Sequence, residues 1–294
     1  MFNSKKILIH FKKTYYLSLL FLFVSLFIVF LTSNLFIFYI FFELCMISFF
    51  FFIGLNGSPS RKIHAFFLLL FFTLFGSIFF LFSLLFLYYI SGSFDILFLQ
   101  NIYIDPFIQK IIFFGFFISF CIKLPTIPFH SWLPEAHVES PTEASVILAS
   151  IMLKIPIYGY FRFLLDLFPL ACNYFSTFIY VLCLFSLIYS SFIALKELDM
   201  KRIIAYSSIS HMNFCFLGLT FLNHISFAGI LFFVFCHGII SSGLFILIGL
   251  IYEKTNTKNI YYYSGLIFSM PIFSLFFFMF ILGNISFPFT GNFI

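Results

Sequence analysis

The chain has 294 residues, 63% of them hydrophobic, 25% aromatic and only 9% charged. An ordinary soluble domain is about half apolar and a quarter charged, and 56 phenylalanines carry more apolar surface than a soluble core can hide. The net charge of +5 lies in short loops between apolar runs, where it sets membrane orientation; a nucleic-acid partner is excluded.

The opening MFNSKKILIHFKKTYY leads into an apolar run from Leu17 to Thr32. That run has no A-x-A-like cleavage site and continues almost directly into a second one, so it reads as a retained membrane helix and not as a signal peptide. Nine apolar segments follow hydropathy along the chain, at about 14–32, 35–55, 65–90, 107–128, 142–165, 169–195, 202–222, 226–252 and 265–294. Each can cross about 30 Å of hydrocarbon. The runs are continuously apolar and do not alternate, which excludes a closed barrel and leaves helices as the way to satisfy the backbone in lipid. The expected fold is an all-α polytopic membrane protein, one transmembrane domain over 1–294 without a soluble domain, with broken helices near Pro125 and Pro288.

The six cysteines, Cys45, Cys121, Cys172, Cys183, Cys215 and Cys236, are scattered through apolar segments without a C-x-x-C pair. Neither a disulfide framework nor a metal or iron–sulfur site is indicated. Strict alternation of nine helices puts Lys5, Lys6, Lys12, Lys13, Arg61, Lys62, Lys196, Lys201, Arg202, Lys254 and Lys258 on the side of the N-terminus. The other side holds only Lys110 and Arg162. The basic side is the cytoplasmic or matrix side.

Three charges lie inside predicted helices: Glu43 in IFYIFFELCMISFF, Lys123 in FGFFISFCIKLPTIPF and Lys154 in SVILASIMLKIPIYGY. Each costs about 2.5–3.5 kcal/mol at the membrane centre, so each should face protein or water. One reading is a Glu–Lys pair that only glues helices. Two lysines with one acid leave an imbalance that such a pair does not need, and favour a proton relay. Desolvation penalises a charged lysine and a nearby carboxylate restores it, so moving the acid or changing local hydration releases the proton. His211, in YSSISHMNF, and His237, in FVFCHGIISS, are each, taken alone, more often a satisfied core histidine, but beside intramembrane lysines they are candidate further stations. Ser207, Ser208, Ser210, Ser241 and Ser242 are placed to orient water or simply to pack helices closely. Pro125 and Pro156 each follow a buried lysine by two residues; irregular backbone at membrane depth is tolerated where it is buried in protein or lines a watery cavity.

The stretch KLPTIPFHSWLPEAHVESPTEASVILASIMLKIPIYGYFRF from Lys123 resembles the subunit 4 family of mitochondrial NADH:ubiquinone oxidoreductase, respiratory complex I. FYIFFE around Glu43, LKELDMKRIIAYSSISHM, CHGIISSGLF, IYEKT and GNISFPFT follow the same family in order. The resemblance implies an antiporter-like fold of two inverted five-helix repeats. It implies that Glu43 pairs with Lys123, that Lys154 is the central station, that His237 lies beyond it, and that His211 is near the same polar axis. It implies a proton-translocating membrane-arm subunit in the mitochondrial inner membrane, basic loops on the matrix side. Such a subunit binds no cofactor; NADH, FMN, iron–sulfur clusters and ubiquinone are used elsewhere in the complex. A cation/proton antiporter subunit and a structural membrane-arm subunit without its own proton path are the competing readings.

Two departures from the family pattern stand out. Family members usually have fourteen helices, and this chain matches about the fourth to the twelfth. It also stops at FTGNFI, where the family continues with Gly-Glu and carries its last intramembrane acid. The expected partners are therefore the other membrane-arm subunits, the lipid bilayer, and a second polypeptide supplying the C-terminal helices.

Overall fold

The computed structural model describes residues 2–56 and 59–293, with side chains described over 13–54 and 61–293. Its helices are α1 (Phe2–Leu31), α2 (Leu35–Asn56), α3 (Pro59–Ser91), the short α4 (Ile96–Leu99), α5 (Pro106–Lys123), α6 (Trp132–Glu139), α7 (Thr142–Ser150), α8 (Ile155–Gly159), α9 (Leu165–Leu167), α10 (Pro169–Lys196), α11 (Met200–Leu219), α12 (His224–Thr255), α13 (Leu266–Ser269) and α14 (Pro271–Asn284). Among the described residues, seven stretches are long and apolar enough to cross a membrane. They correspond to the first six expected segments and the eighth. The seventh is α11, a helix of 20 residues made more polar by Lys201, Arg202, His211, Asn213 and its serines. The ninth is α14, only 14 residues long, because the chain breaks before Pro288.

Local chemistry explains the boundaries. Proline opens α3, α5, α10 and α14, at the helix position where a missing N–H costs nothing. Asp105 caps α5 by accepting from the Phe107 N–H at 2.8 Å. Asn256 ends α12 in the left-handed conformation at φ 56°. The span over 142–167 is not one helix: α7 stops at Ser150, a tight turn covers Met152–Lys154, and α8 restarts beside Pro156.

The interior and the outward faces are both rich in phenylalanine. Phe38, Phe42, Phe80, Phe116 and Phe120 are buried, while Phe27, Phe71, Phe82 and Phe235 are exposed. A water-soluble chain does not leave such rings bare; lipid accepts them. Close backbone approach at Gly115 and Gly159 sets the inner packing. A Cβ on Gly159 would lie 2.7 Å from the Phe120 ring. The six cysteines are free and five are buried.

Two isolated bridges tie loops across the bundle. Asn34 pairs with Asp95, and Asp199 pairs with Asn259. Strict alternation requires each pair to lie on one side of the membrane, the first opposite the N-terminus and the second with it, and the bridges agree with that threading.

Candidate functional site

Lys123 is the last residue of α5. The helix cannot continue because Pro125 and Pro128 lack donors and restrict their neighbours. Its freed carbonyls are taken up locally: the Thr126 N–H bonds to Cys121 O at 2.9 Å, and Trp132 Nε1 donates to Ile122 O at 2.9 Å. The ammonium of Lys123 is thus delivered to the interior, 1% exposed. It donates to Glu43 Oε1 at 2.9 Å and to the Phe42 carbonyl at 3.0 Å. It also stands 3.2 Å from the centroid of the Phe42 ring, a cation–π contact worth about 2 kcal/mol when desolvated. Three donors thus meet three acceptors, all on α2.

Lys154 sits in the turn between α7 and α8, also buried, and donates to the Ala149 carbonyl. No ion pair reaches it among the described residues. Its ammonium lies against α12 at Gly238, next to His237, and lines one end of a cavity of about 530 Å³. Phe30, Phe161, Phe227, Leu231 and Phe235 form apolar walls of that cavity, and Ser150 and Ser242 also line it. No hydrogen bond or ion pair joins Lys154 to Lys123 among the described residues; Phe120 against Gly159 packs the two regions together.

His237 is fully buried, and neither ring nitrogen has a hydrogen-bond partner among the described residues. Its ring lies 5.4 Å from that of His211 and within electrostatic reach of Lys154. Asn284, the last residue of α14, is in hydrogen-bonding contact with His211 and donates to Ser207 Oγ at 3.2 Å. The break near Pro288 therefore reaches the histidine pair just as the break near Pro125 reaches Glu43. Beyond Asn284 the chain turns irregularly through Ser286 at φ 60° and Phe289 at φ 72°, and Gly291 approaches Cys236 on α12.

The five residues singled out from sequence form two contact pairs, Glu43–Lys123 and His211–His237, with Lys154 beside the second. Three participants escaped that reading. Phe42 offers both ring and carbonyl to Lys123, and nothing in its residue type signals it. His137 on α6 is fully buried and lacks partners on both nitrogens. It stacks on Phe245 at 4.5 Å; its place beside the W-L-P break was the available signal. Lys201 reads as a solvated orientation charge in sequence, yet only 2% of it is exposed. Of the serines, Ser207, Ser210, Ser241 and Ser242 donate to carbonyls of their own helices, while Ser208 Oγ has no partner among the described residues. No group of His, Cys, Asp and Glu among the described residues is placed to hold a metal ion.

The family described as NADH:quinone oxidoreductase/Mrp antiporter, transmembrane, matches residues 32–294. The chain belongs to this family. Among curated relatives in the NADH:quinone oxidoreductase/Mrp antiporter family, NADH-ubiquinone oxidoreductase chain 4 of Acanthamoeba castellanii is 45% identical over 281 residues, covering 96% of this chain and 56% of the relative. The Marchantia polymorpha chain of the same name is 42% identical over 284 residues, covering 97% and 57%. This chain thus spans little more than half the length of those relatives. Among solved structures, a chain of respiratory complex I from Thermus thermophilus superposes with a TM-score of 0.84 at 29% identity, over 90% of this chain and 58% of that one.

Proposed function

We propose that this chain is a proton-translocating membrane-arm subunit of respiratory NADH:ubiquinone oxidoreductase, and that Glu43, Lys123, Lys154, His211 and His237 carry its protons. One observation supports the reading above the others: a buried lysine at the end of a broken helix paired with the half-buried Glu43, sharing the bundle with a second buried lysine that has a histidine pair, and no ion-paired carboxylate among the described residues, beside it. A glue pair needs neither the second lysine nor imidazoles without partners, since each buried unpaired polar atom costs about 1–3 kcal/mol.

In this reading Glu43 holds the Lys123 proton until the pair opens. Lys154 exchanges its proton with the histidine pair across α12. Redox energy enters from other subunits, because each proton works against about 2.3 kcal/mol per 100 mV. NADH, FMN, iron–sulfur clusters and ubiquinone belong to those other subunits, and this chain contributes no redox centre. The neighbours are further membrane-arm subunits and lipid. The membrane is the mitochondrial inner membrane, with the basic loops facing the matrix.

The test is Lys123→Met and Glu43→Gln in the assembled complex, with proton pumping and quinone reduction followed together. Pumping should fall by about 10²-fold, the scale of a lost proton-transfer group, while the complex still assembles. Pumping at the unmodified rate in both variants would show a structural membrane-arm subunit instead.

A further inference from the structure

The cavity at Lys154 has an open side. Leu231, Phe235 and Ile239 recur every four residues along α12 and so form one stripe of that helix. All three line the cavity, and all three are exposed. Phe161, on the facing broken span, also lines it and is exposed. The cavity therefore opens sideways between α12 and that span, within two membrane-crossing segments, Thr142–Leu167 and His224–Thr255. A molecule dissolved in hydrocarbon can enter there without crossing a layer of headgroups.

Lys154 lies about midway along its 26-residue span. Among the described residues that line the cavity, no other side chain carries a charge at neutral pH. Two of the lining hydroxyls are already engaged: Tyr158 donates to the Phe30 carbonyl at 3.0 Å, and Ser242 donates to the Ile239 carbonyl at 2.8 Å. Lys154 has three donors, and among the described residues its one hydrogen bond goes to the Ala149 carbonyl. Gly238 faces the ammonium from α12, where even a Cβ would stand 3.8 Å from Nζ. The absent side chain leaves room in front of the charge. A chamber of about 530 Å³ with apolar walls and one cation lacking a counter-ion has the make-up of a ligand site.

We propose that this cavity binds a long-chain carboxylic acid drawn from the bilayer, its carboxylate on Lys154 and its chain between α12 and the broken span, and that the bound acid holds Lys154 out of the proton path. The site stands on the cavity and its charge; only the arrest rests on the proton-translocating reading above. A hydrocarbon chain gains little by leaving lipid for an apolar groove, since lipid tails are as apolar as the groove, so recognition comes from the head. A phospholipid keeps its charged head at the surface, because a charge in mid-membrane is costly. A carboxylic acid travels neutral. Its O–H bond breaks as the proton passes to a neutral Lys154 amine, and an N–H bond forms. The resulting carboxylate and ammonium share a charge-assisted hydrogen bond, about twice as strong as a neutral one, and the proton stays with the pair until the acid leaves.

The experiment uses the intact complex in its native membrane, with palmitate carrying a photoreactive diazirine in its chain as the probe. Cross-links should map by mass spectrometry to Phe161 or to residues between Phe227 and Ile239. Unlabelled palmitate should compete, whereas hexadecanol and hexadecyltrimethylammonium should not. Lys154→Met should weaken labelling there by about tenfold or more, the scale of a lost hydrogen bond to a charged group, and Leu231→Trp, which narrows the opening, should weaken it too. Palmitate also carries protons through lipid unaided, so the arrest is read as NADH:quinone turnover in membranes already made leaky by an ionophore. Turnover should slow in the unmodified complex and much less in Leu231→Trp. Equal competition by hexadecanol, unaltered labelling in Lys154→Met, or no labelling of these residues overturns the site and leaves a groove filled by bulk lipid or by a protein segment. If Lys154→Met fails to assemble, the competition decides. Turnover insensitive to palmitate despite labelling overturns the arrest. Full pumping in Lys154→Met defeats proton translocation and leaves the site to its labelling, whereas pumping lost there with an unlabelled groove defeats the site alone.

Discussion

Two histidines illustrate what burial means at the scale of a residue. His137 and His237 are both fully enclosed, and each leaves two nitrogens without a protein partner among the described residues. Such groups cost about 1–3 kcal/mol apiece in stability, and a fold selected only for stability would replace them by leucine. The expected outcome of His237→Leu is therefore split: thermal unfolding of the assembled complex moves up or stays level, while pumping falls by about 10²-fold. A fall in both would mark His237 as a packing residue. The rings beside it, His211 at 5.4 Å and Phe233, remain to fill the space.

At the scale of the element, glycine notches set how closely helices approach. Gly243 on α12 receives the Phe280 ring of α14, and a Cβ there would lie 2.4 Å from that ring. Gly243→Ala should therefore loosen α14 by about 1–3 kcal/mol, measured as faster proteolysis after α12 or a lower melting temperature. Combining it with Phe280→Leu should recover part of the loss. The spans and their breaks were legible in the sequence, because long apolar runs and proline positions are local signals. So were Glu43, Lys123 and Lys154, because a charge within an apolar run is costly in lipid and stands out from its neighbours. The pairing of His211 with His237, the role of Asn284 and the burial of Lys201 were not. They arise where α11, α12, α14 and the end of α6 meet, segments far apart in the chain, and a lysine in a loop carries the same letters whether water or protein surrounds it.

For the whole molecule, the charge asymmetry and the two loop bridges describe the same threading. Lys196 and Lys254 are exposed on the basic side, and Tyr103 is 83% exposed on the other. Cysteines introduced at Lys196 and Lys254 should react with an impermeant maleimide from one side only, and a cysteine at Tyr103 from the opposite side only. Labelling of all three from one side would break the alternation and the proton path that depends on it. The Arg162 guanidinium, donating to the Phe30 carbonyl at 3.2 Å, ties the end of α1 to the broken span that carries Lys154.

Among the described residues, the acceptors that meet the Lys123 ammonium come from two consecutive residues of α2: the Glu43 carboxylate, the Phe42 carbonyl and the Phe42 ring. A small roll of that single helix withdraws all of them together. If Lys123 carries protons as proposed, a partner that shifts α2 would uncover the ammonium without touching the lysine itself.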